Sequence, residues 1–380
     1  MKNVLLLAFG MFALGFDAYV IAGLLPGISD TYQKSTSQVG QAVSIFTLFY
    51  AISAPFFSSL FAGKPIKKIL IWSMLLFTIA NSVTALAPTF TILLLSRAIA
   101  GTGAGLFSPL AVAASTKFVS SEKKGRALGL TIGGMSIGTV LGVPLGIYIS
   151  NVYDWKITLW LLVMIGVISI LCMYFFLPDF PTTPPPALNE RLKMFLDKRV
   201  TITVGVTFFA SVASLGLYTY LSPLLEDMAR SSNVTMYLWA WGFGGLVGSI
   251  LIGYLIDYFG KLKTLVTIIL FTLTLSIISI PFMLNFPILK YLPFFVWGAM
   301  GWACQAPQQH ILLSQQPNNG SSAVALNSSV NYLGSAIGAS LGGVVLSIQT
   351  GTITLIYFAV ISMSLAIGLQ FYSMKKFRIN

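Results

Sequence analysis

The stretches Gly138-Thr-Val-Leu-Gly142-Val143-Pro144-Leu-Gly146 and Gly334-Ser-Ala-Ile-Gly338-Ala-Ser-Leu-Gly342 lie 196 residues apart and carry glycine at the same three places. Small residues at i, i+4 and i+8 give a helix a flat face on which another backbone can lie closely. One such ladder is common in any apolar bundle; two at a fixed offset mark an internal repeat. The same offset relates Gly105 to Gly301 and Lys67 to Lys263. The chain therefore reads as two related halves, and the sequence around the ladders tells what kind of halves they are.

That surrounding sequence is apolar. Of 380 residues, 56% are apolar and 8% charged, and the mean hydropathy is +0.86. Soluble domains carry about 25% Asp, Glu, Lys and Arg, a charged skin that this chain lacks, so it is read as an integral membrane protein. Twelve runs are long enough to cross a bilayer: 4–26, 39–62, 69–87, 90–116, 126–150, 157–177, 200–224, 234–256, 264–284, 288–313, 322–348 and 352–374. The first is not read as a cleaved leader, since it is too long, carries Asp17 and lacks a clear small-residue cleavage site. One polar break, with Pro181, Pro184, Pro185 and Pro186, separates six runs from six. The expected fold is all-α: twelve transmembrane helices in two pseudo-symmetric six-helix bundles, 1–177 and 200–380, joined by a linker at 178–199. The amphipathic end of that linker, 189–199, reads as a solvated surface helix.

The net charge of +12 has a topological explanation rather than a nucleic-acid partner. With the N-terminus inside, seventeen of the 22 Lys and Arg fall on the inner side, four fall outside, and Arg97 lies within a span. Both termini are thus expected in the cytoplasm and the chain in the plasma membrane. Cys172 and Cys304 sit inside apolar runs and suggest neither disulfide nor metal. Gly101-Thr-Gly103-Ala-Gly105 lacks the last glycine of a dinucleotide fingerprint, because residue 106 is Leu106, and no phosphate-binding G-x-x-x-x-G-K-[ST] occurs. With one histidine and no clustered acids, no enzyme activity, cofactor or metal is expected.

Four stretches resemble a known family. They are Leu14 to Pro26 (LGFDAYVIAGLLP), Leu95 to Gly105 (LSRAIAGTGAG), Gly138 to Gly146, and Gly253 to Lys263 (GYLIDYFGKLK). Together they make the chain similar to the major facilitator superfamily, in its twelve-span drug:proton antiporter branch, most like the arabinose/sugar-efflux and chloramphenicol-resistance type permeases. The resemblance covers nearly the whole chain. It implies a rocking transporter in which Gly138, Gly142, Pro144 and Gly146 form an antiporter motif that gates access, with simple helix packing as the alternative. It also implies an inner-face latch at Gly253, Asp257, Gly260, Lys261 and Lys263, with a simple solvated turn as the alternative. The corresponding loop of the first half, Phe61 to Lys68, lacks the usual Asp, and Val143 between Gly142 and Pro144 matches the sugar-efflux type.

Asp17 alone among ten carboxylates lies deep in a span, roughly 3 Å from the midplane at about 1.5 Å per residue. A charge there costs at least about 2.5–3.5 kcal/mol on insertion scales, so it faces a cavity or a partner. Burial favours the protonated acid, which suits a proton-coupling group; the alternative is a structural hydrogen-bonding Asp. Arg97, the one deep cation, falls roughly 10 Å below the outer edge and Asp17 about 13 Å, at about 1.5 Å per residue, so the two are expected to pair, although an Arg bonded to backbone carbonyls is also compatible. Tyr218, Gln305, Asn327 and Asn331 are candidates for a substrate cavity, with Gln308, Gln309 and Tyr220 near them in sequence; for each, helix packing is the plainer reading. His310 reads as structural.

These residues are expected to serve a secondary transporter, a monomer, that exports a small organic molecule such as a drug, a sugar or a related metabolite in exchange for protons. A proton-independent uniporter or importer is the alternative. A non-transporting sensor, expected to bring a soluble domain or long tail, fits least.

Overall fold

In the computed structural model the described residues are 1–60, 65–120, 124–179, 188–229, 234–317, 319–348 and 351–377, and nearly all are helical. Residues 180–187 of the linker, Phe61–Lys64 and the side chain of Asp257 lie outside them. The first half holds α1 (Lys2–Tyr32), α2 (Thr36–Leu60), α3 (Ile66–Leu86), α4 (Phe90–Ser115), α5 (Lys124–Ile137), α6 (Val143–Val152) and α7 (Trp155–Phe176). The second holds α8 (Leu188–Lys193), α9 (Lys198–Thr219), α10 (Leu221–Ala229), α11 (Thr235–Phe259), α12 (Leu262–Met283), α13 (Leu292–Ala303), α14 (Gln305–Gln315), α15 (Gly320–Ser347) and α16 (Ile353–Lys376). The chain forms two compact units, Met1–Ser35 with Gln41–Leu188, and Thr36–Gly40 with Asn189–Asn380.

Among the described residues, ten helical stretches are long and apolar enough to cross a bilayer. The other two expected runs are α2, a 25-residue helix, and the run 288–313, which is divided between α13 and α14 at Cys304. The polarity pattern is that of a protein dissolved in lipid: Trp72, Leu95, Phe175, Phe282 and Ile361 face outward while Asp17, Arg97, Asn81 and Asn327 are buried. Water would reverse that arrangement; hydrocarbon favours it.

Prolines set the interruptions. A proline has no N–H to give to the carbonyl four residues earlier. Helix α9 ends at Thr219, four before Pro223, and α13 ends at Ala303, four before Pro307. Pro144 stands four after Val140, within a π-helical turn, Gly138–Gly142, that joins α5 to α6. The run expected as one helix at 126–150 thus contains a wide turn at its glycine motif.

The glycine ladders are packing surfaces in both units. A Cβ on Gly138 would strike the Phe12 carbonyl, and one on Gly334 would come within 2.7 Å of the Phe208 carbonyl. Gly142 lies against Phe16, and Gly338 against Val212. Phe12 and Phe208, like Phe16 and Val212, are themselves 196 residues apart. The repeat therefore extends from the glycines to the surfaces they touch, α1 in one unit and α9 in the other.

Local caps fix the helix ends. Thr89 caps α4 by accepting from Ile92 N, Asp154 caps α7 by accepting from Lys156 N at 2.8 Å, and Asp197 caps α9 by accepting from Arg199 N at 2.8 Å. Gly260 ends α11 at φ +60°, the left-handed conformation that glycine adopts most readily. The stretch read as a solvated helix differs from expectation on one face: Met194 is buried with Val200, Val204, Leu312, Ala323, Leu326 and Val330. Its apolar side docks into the second unit, while Leu192, Phe195 and Leu196 stay exposed.

Candidate functional site

The first unit brings three polar side chains together in its interior. Asp17 comes from the middle of α1, Asn81 from α3 and Arg97 from the first third of α4. Glycines let α4 approach closely enough for this: a Cβ on Gly101 would strike the Phe46 carbonyl of α2, and one on Gly103 would meet the backbone of Phe77 on α3 at 2.7 Å. Thr84 Oγ1 and Ser96 Oγ, 2.8 Å apart, join α3 to α4 near the site.

Arg97 Nη1 donates to Asp17 Oδ1 at 2.9 Å and to Oδ2 at 3.2 Å, and to Asn81 Oδ1 at 2.9 Å. Asn81 Nδ2 donates to Asp17 Oδ2 at 3.2 Å and to the Phe77 carbonyl at 3.0 Å. The guanidinium lies over the Phe46 ring, 4.4 Å from its centroid. Asp17 and Asn81 are wholly buried and Arg97 is 1% exposed. Ion pairs removed from water lose solvation that their attraction only partly restores, and they persist when further hydrogen bonds complete them. Asn81 completes this one, although Arg97 Nε has no hydrogen-bond partner among the described residues. The arrangement can hold a carboxylate against one cation, and it has a neutral group bonded to both. Asn81 was not among the residues singled out from sequence; its signal, an amide in mid-span, is diluted on α3 by Ser73, Thr78, Ser82 and Thr84.

The remaining candidates fall in three places. Gly138, Gly142 and Gly146 line the α1 contact, Gly146 also meeting Thr158, whose hydroxyl donates to the Gly146 carbonyl at 2.6 Å; Pro144 opens α6. Of the loop residues, Gly253 and Lys261 are exposed, Gly260 ends α11, and the Asp257 side chain lies outside the described residues. Lys263 donates to the carbonyls of Ser373 and Phe377 at the end of α16. A cation at a helix C-terminus is favourably placed, so Lys263 ties the last helix to the start of α12.

In the second unit, Asn331 Oδ1 accepts from Ser211 Oγ at 2.6 Å and from Gln305 Nε2 at 2.9 Å. Asn327 and Gln308 are buried beside them in sequence. Tyr218 packs on Trp241, ring centroids 4.4 Å apart. Tyr220 is buried and donates to the Ala339 carbonyl at 2.7 Å, a structural bond. Gln309 is half-buried and His310 exposed.

Residues 7–339 match the family model described as Major Facilitator Superfamily. The chain belongs to that superfamily. It is therefore a multi-pass membrane transporter. Among curated proteins it is 29% identical over 345 residues to the uncharacterized MFS-type transporter YbcL of Bacillus subtilis, covering 90% of this chain and 88% of that one. It is 29% identical over 381 residues to the inner membrane transport protein YdhP of Escherichia coli K12, covering 98% and 96%. AraJ of the same strain is 25% identical over 352 residues, covering 92% and 89%. Among solved structures, the fold matches a bacterial homolog of the human lysosomal transporter Spinster, with TM-score 0.78 and 16% identity over 99% of this chain and 97% of that one. It matches a D-xylose-proton symporter with TM-score 0.77 and 16% identity over 97% and 96%.

Proposed function

We propose that this superfamily member is a proton-coupled exporter of a small organic molecule, with Asp17 as the proton-carrying group and Arg97 as its partner. The observation that carries the reading is the closed Asp17–Arg97–Asn81 cluster, built on the one carboxylate that lies deep in a span. Such a carboxyl exchanges its salt bridge for a proton. When Asp17 is charged, Arg97 is neutralised by it; when Asp17 takes a proton, Arg97 keeps the Asn81 carbonyl and turns toward other acceptors. Coupling follows if proton and solute favour opposite states of the protein, since a ligand equally bound in both shifts nothing. In the outward-open state Asp17 binds a proton; in the inward-open state it releases the proton and solute binding is favoured.

Export rather than import is supported by the Gly138–Gly146 motif, which resembles that of antiporters and coincides with a π-helical turn, a feature frequent at functional sites. Placement in a bacterial inner membrane is supported by the similarity to the Escherichia coli inner membrane transport protein. Cytoplasmic termini are supported by the seventeen-to-four distribution of basic residues.

The test is proton movement in proteoliposomes that enclose a pH dye, challenged with neutral and cationic solutes, for wild type beside Asp17→Asn. Solute-driven proton flux that Asp17→Asn abolishes is the expected result. Solute movement without protons, or equal behaviour of the two proteins, makes Asp17 structural and the protein a uniporter.

A further inference from the structure

We infer that the second unit holds a binding site for a neutral heteroaromatic solute, one with a planar face and an edge that both gives and accepts hydrogen bonds. The inference rests on the exporter reading only for what becomes of the solute, not for its binding.

The site is built on one face of α9. Ser211, Ser214 and Tyr218 stand at i, i+3 and i+7, spacings that share a helix face. Ser211 Oγ and Gln305 Nε2 both donate to Asn331 Oδ1, at 2.6 and 2.9 Å. Trp297 Nε1 donates to Ser214 Oγ at 2.7 Å. Tyr218 packs against Trp241, which meets Trp302 edge-on at 6.2 Å between centroids. Trp302 and Gln305, three residues apart across the break at Cys304, close the circuit from aromatic wall back to carboxamides.

The polar part of this circuit is half used. The Asn331 Nδ2 hydrogens and Gln305 Oε1 make no hydrogen bond to the described residues, and both side chains are partly accessible. One helical turn away, Asn327 and Gln308 are 0% and 1% exposed and neither carboxamide is hydrogen-bonded, with only the Cys304 thiol, a weak partner, beside Gln308. Buried amides in folded proteins are nearly always paired. Two buried carboxamides without partners, one turn from two that are half-bonded and partly accessible, therefore mark a place where a polar partner from outside the chain is due.

The chemistry of that partner follows from the groups offered. A carboxamide presents a donor and an acceptor side by side, the pattern that pairs two-fold with the edge of a nitrogen heterocycle, as Asn and Gln do with adenine. Trp302, partly accessible, supplies a face for stacking, and it is backed by Tyr218 and Trp241, which are buried against each other. None of these residues is charged, so a cation would find no counter-charge here, and a planar aromatic ring covers the indole face of Trp302 more fully than a puckered sugar does.

The probes are adenosine, glucose and tetraphenylphosphonium, titrated calorimetrically into the purified full chain in detergent. Adenosine is expected to bind at least tenfold tighter than either other probe. Asn331→Asp keeps the Oδ1 acceptor and the side-chain shape while removing the donors, and should weaken adenosine at least tenfold. Trp302→Leu, which leaves the carboxamides intact, should do likewise, with size-exclusion profiles verifying that both variants are folded. Adenosine binding no tighter than glucose, tighter binding of tetraphenylphosphonium, or adenosine affinity within twofold of wild type in both variants overturns the site. Adenosine binding without adenosine-driven proton flux keeps the site and overturns the coupling reading. Proton flux driven by tetraphenylphosphonium alone does the reverse.

Discussion

Asn81 accepts a hydrogen bond from Arg97 through its carbonyl oxygen at 2.9 Å, while its amide nitrogen donates to Asp17 at 3.2 Å. It is the only neutral member of the cluster and the one whose bonding to Arg97 does not depend on a proton. Asn81→Leu removes both bonds at similar volume. Hydrogen bonds to charged groups contribute about 1.5–3 kcal/mol, so solute-driven proton flux should fall about tenfold or more. Asn81→Asp should slow it too, by holding Arg97 on a second anion when Asp17 is protonated. Wild-type flux in both variants would remove Asn81 from the proton path.

Breaking the buried pair should destabilise the protein more than replacing it. Arg97→Met leaves Asp17 without its cation, at a cost of about 3–5 kcal/mol. Adding Asp17→Asn to Arg97→Met removes the orphaned charge and should restore part of the loss. Thermal melting of purified protein in one detergent compares the three; a double variant less stable than Arg97→Met alone would contradict the reading of the pair.

Gly129 of α5 and Gly138, the first residue of the π-helical turn that follows it, should respond in opposite directions to alanine. A Cβ on Gly129 meets nothing within 4 Å, whereas one on Gly138 strikes the Phe12 carbonyl, part of a backbone that cannot turn aside. Gly129→Ala gains helix propensity, up to about 1 kcal/mol. Gly138→Ala should lose about 1–3 kcal/mol by overpacking. Equal melting temperatures for the two would show that α1 yields at this contact.

At the far end of the second unit, Thr352 donates to Asp227 Oδ2 through its hydroxyl at 2.6 Å and its backbone N–H at 3.2 Å, tying α10 to the start of α16. These bonds hold the Asp227 carboxyl below its ordinary value. A carboxyl depressed on folding adds stability above its unfolded pKa, and that stability is lost as pH falls through the lower folded value. Asp227→Asn should therefore melt below wild type at neutral pH, and the gap should narrow on acidification below the usual carboxylate range. A gap independent of pH would assign Asp227 a purely steric role.

Much of this was legible in the sequence, because lipid leaves the chain few choices. A run of apolar residues must be helical to satisfy its backbone, so the helices fall where the runs do. Asp17 and Arg97 stood out because deep charges are so expensive that few occur, and matching depths were enough to suggest their pairing. Asn81 did not stand out, because an uncharged amide is tolerated in many span positions and only its neighbours reveal its use. The breaks at Thr219 and Ala303 follow from Pro223 and Pro307, yet Pro26, Pro109 and Pro281 lie inside unbroken helices. A missing N–H opens a helix only where packing does not hold it shut, and packing is not written in one run. Met194 went unseen for a similar reason: a short amphipathic stretch shows which side is apolar, not whether anything covers it.

The shared offset of 196 residues has one more consequence. Carried into the second unit, the positions of Asp17, Asn81 and Arg97 become Ala213, Ile277 and Pro293; carried back, those of Gln305, Gln308, Asn327 and Asn331 become Pro109, Val112, Thr131 and Met135. The two units keep the same glycine contacts but share none of their polar clusters. The repeated scaffold carries an ionisable cluster in one unit and carboxamides in the other, so a substitution in either cluster meets no equivalent polar group in the other unit.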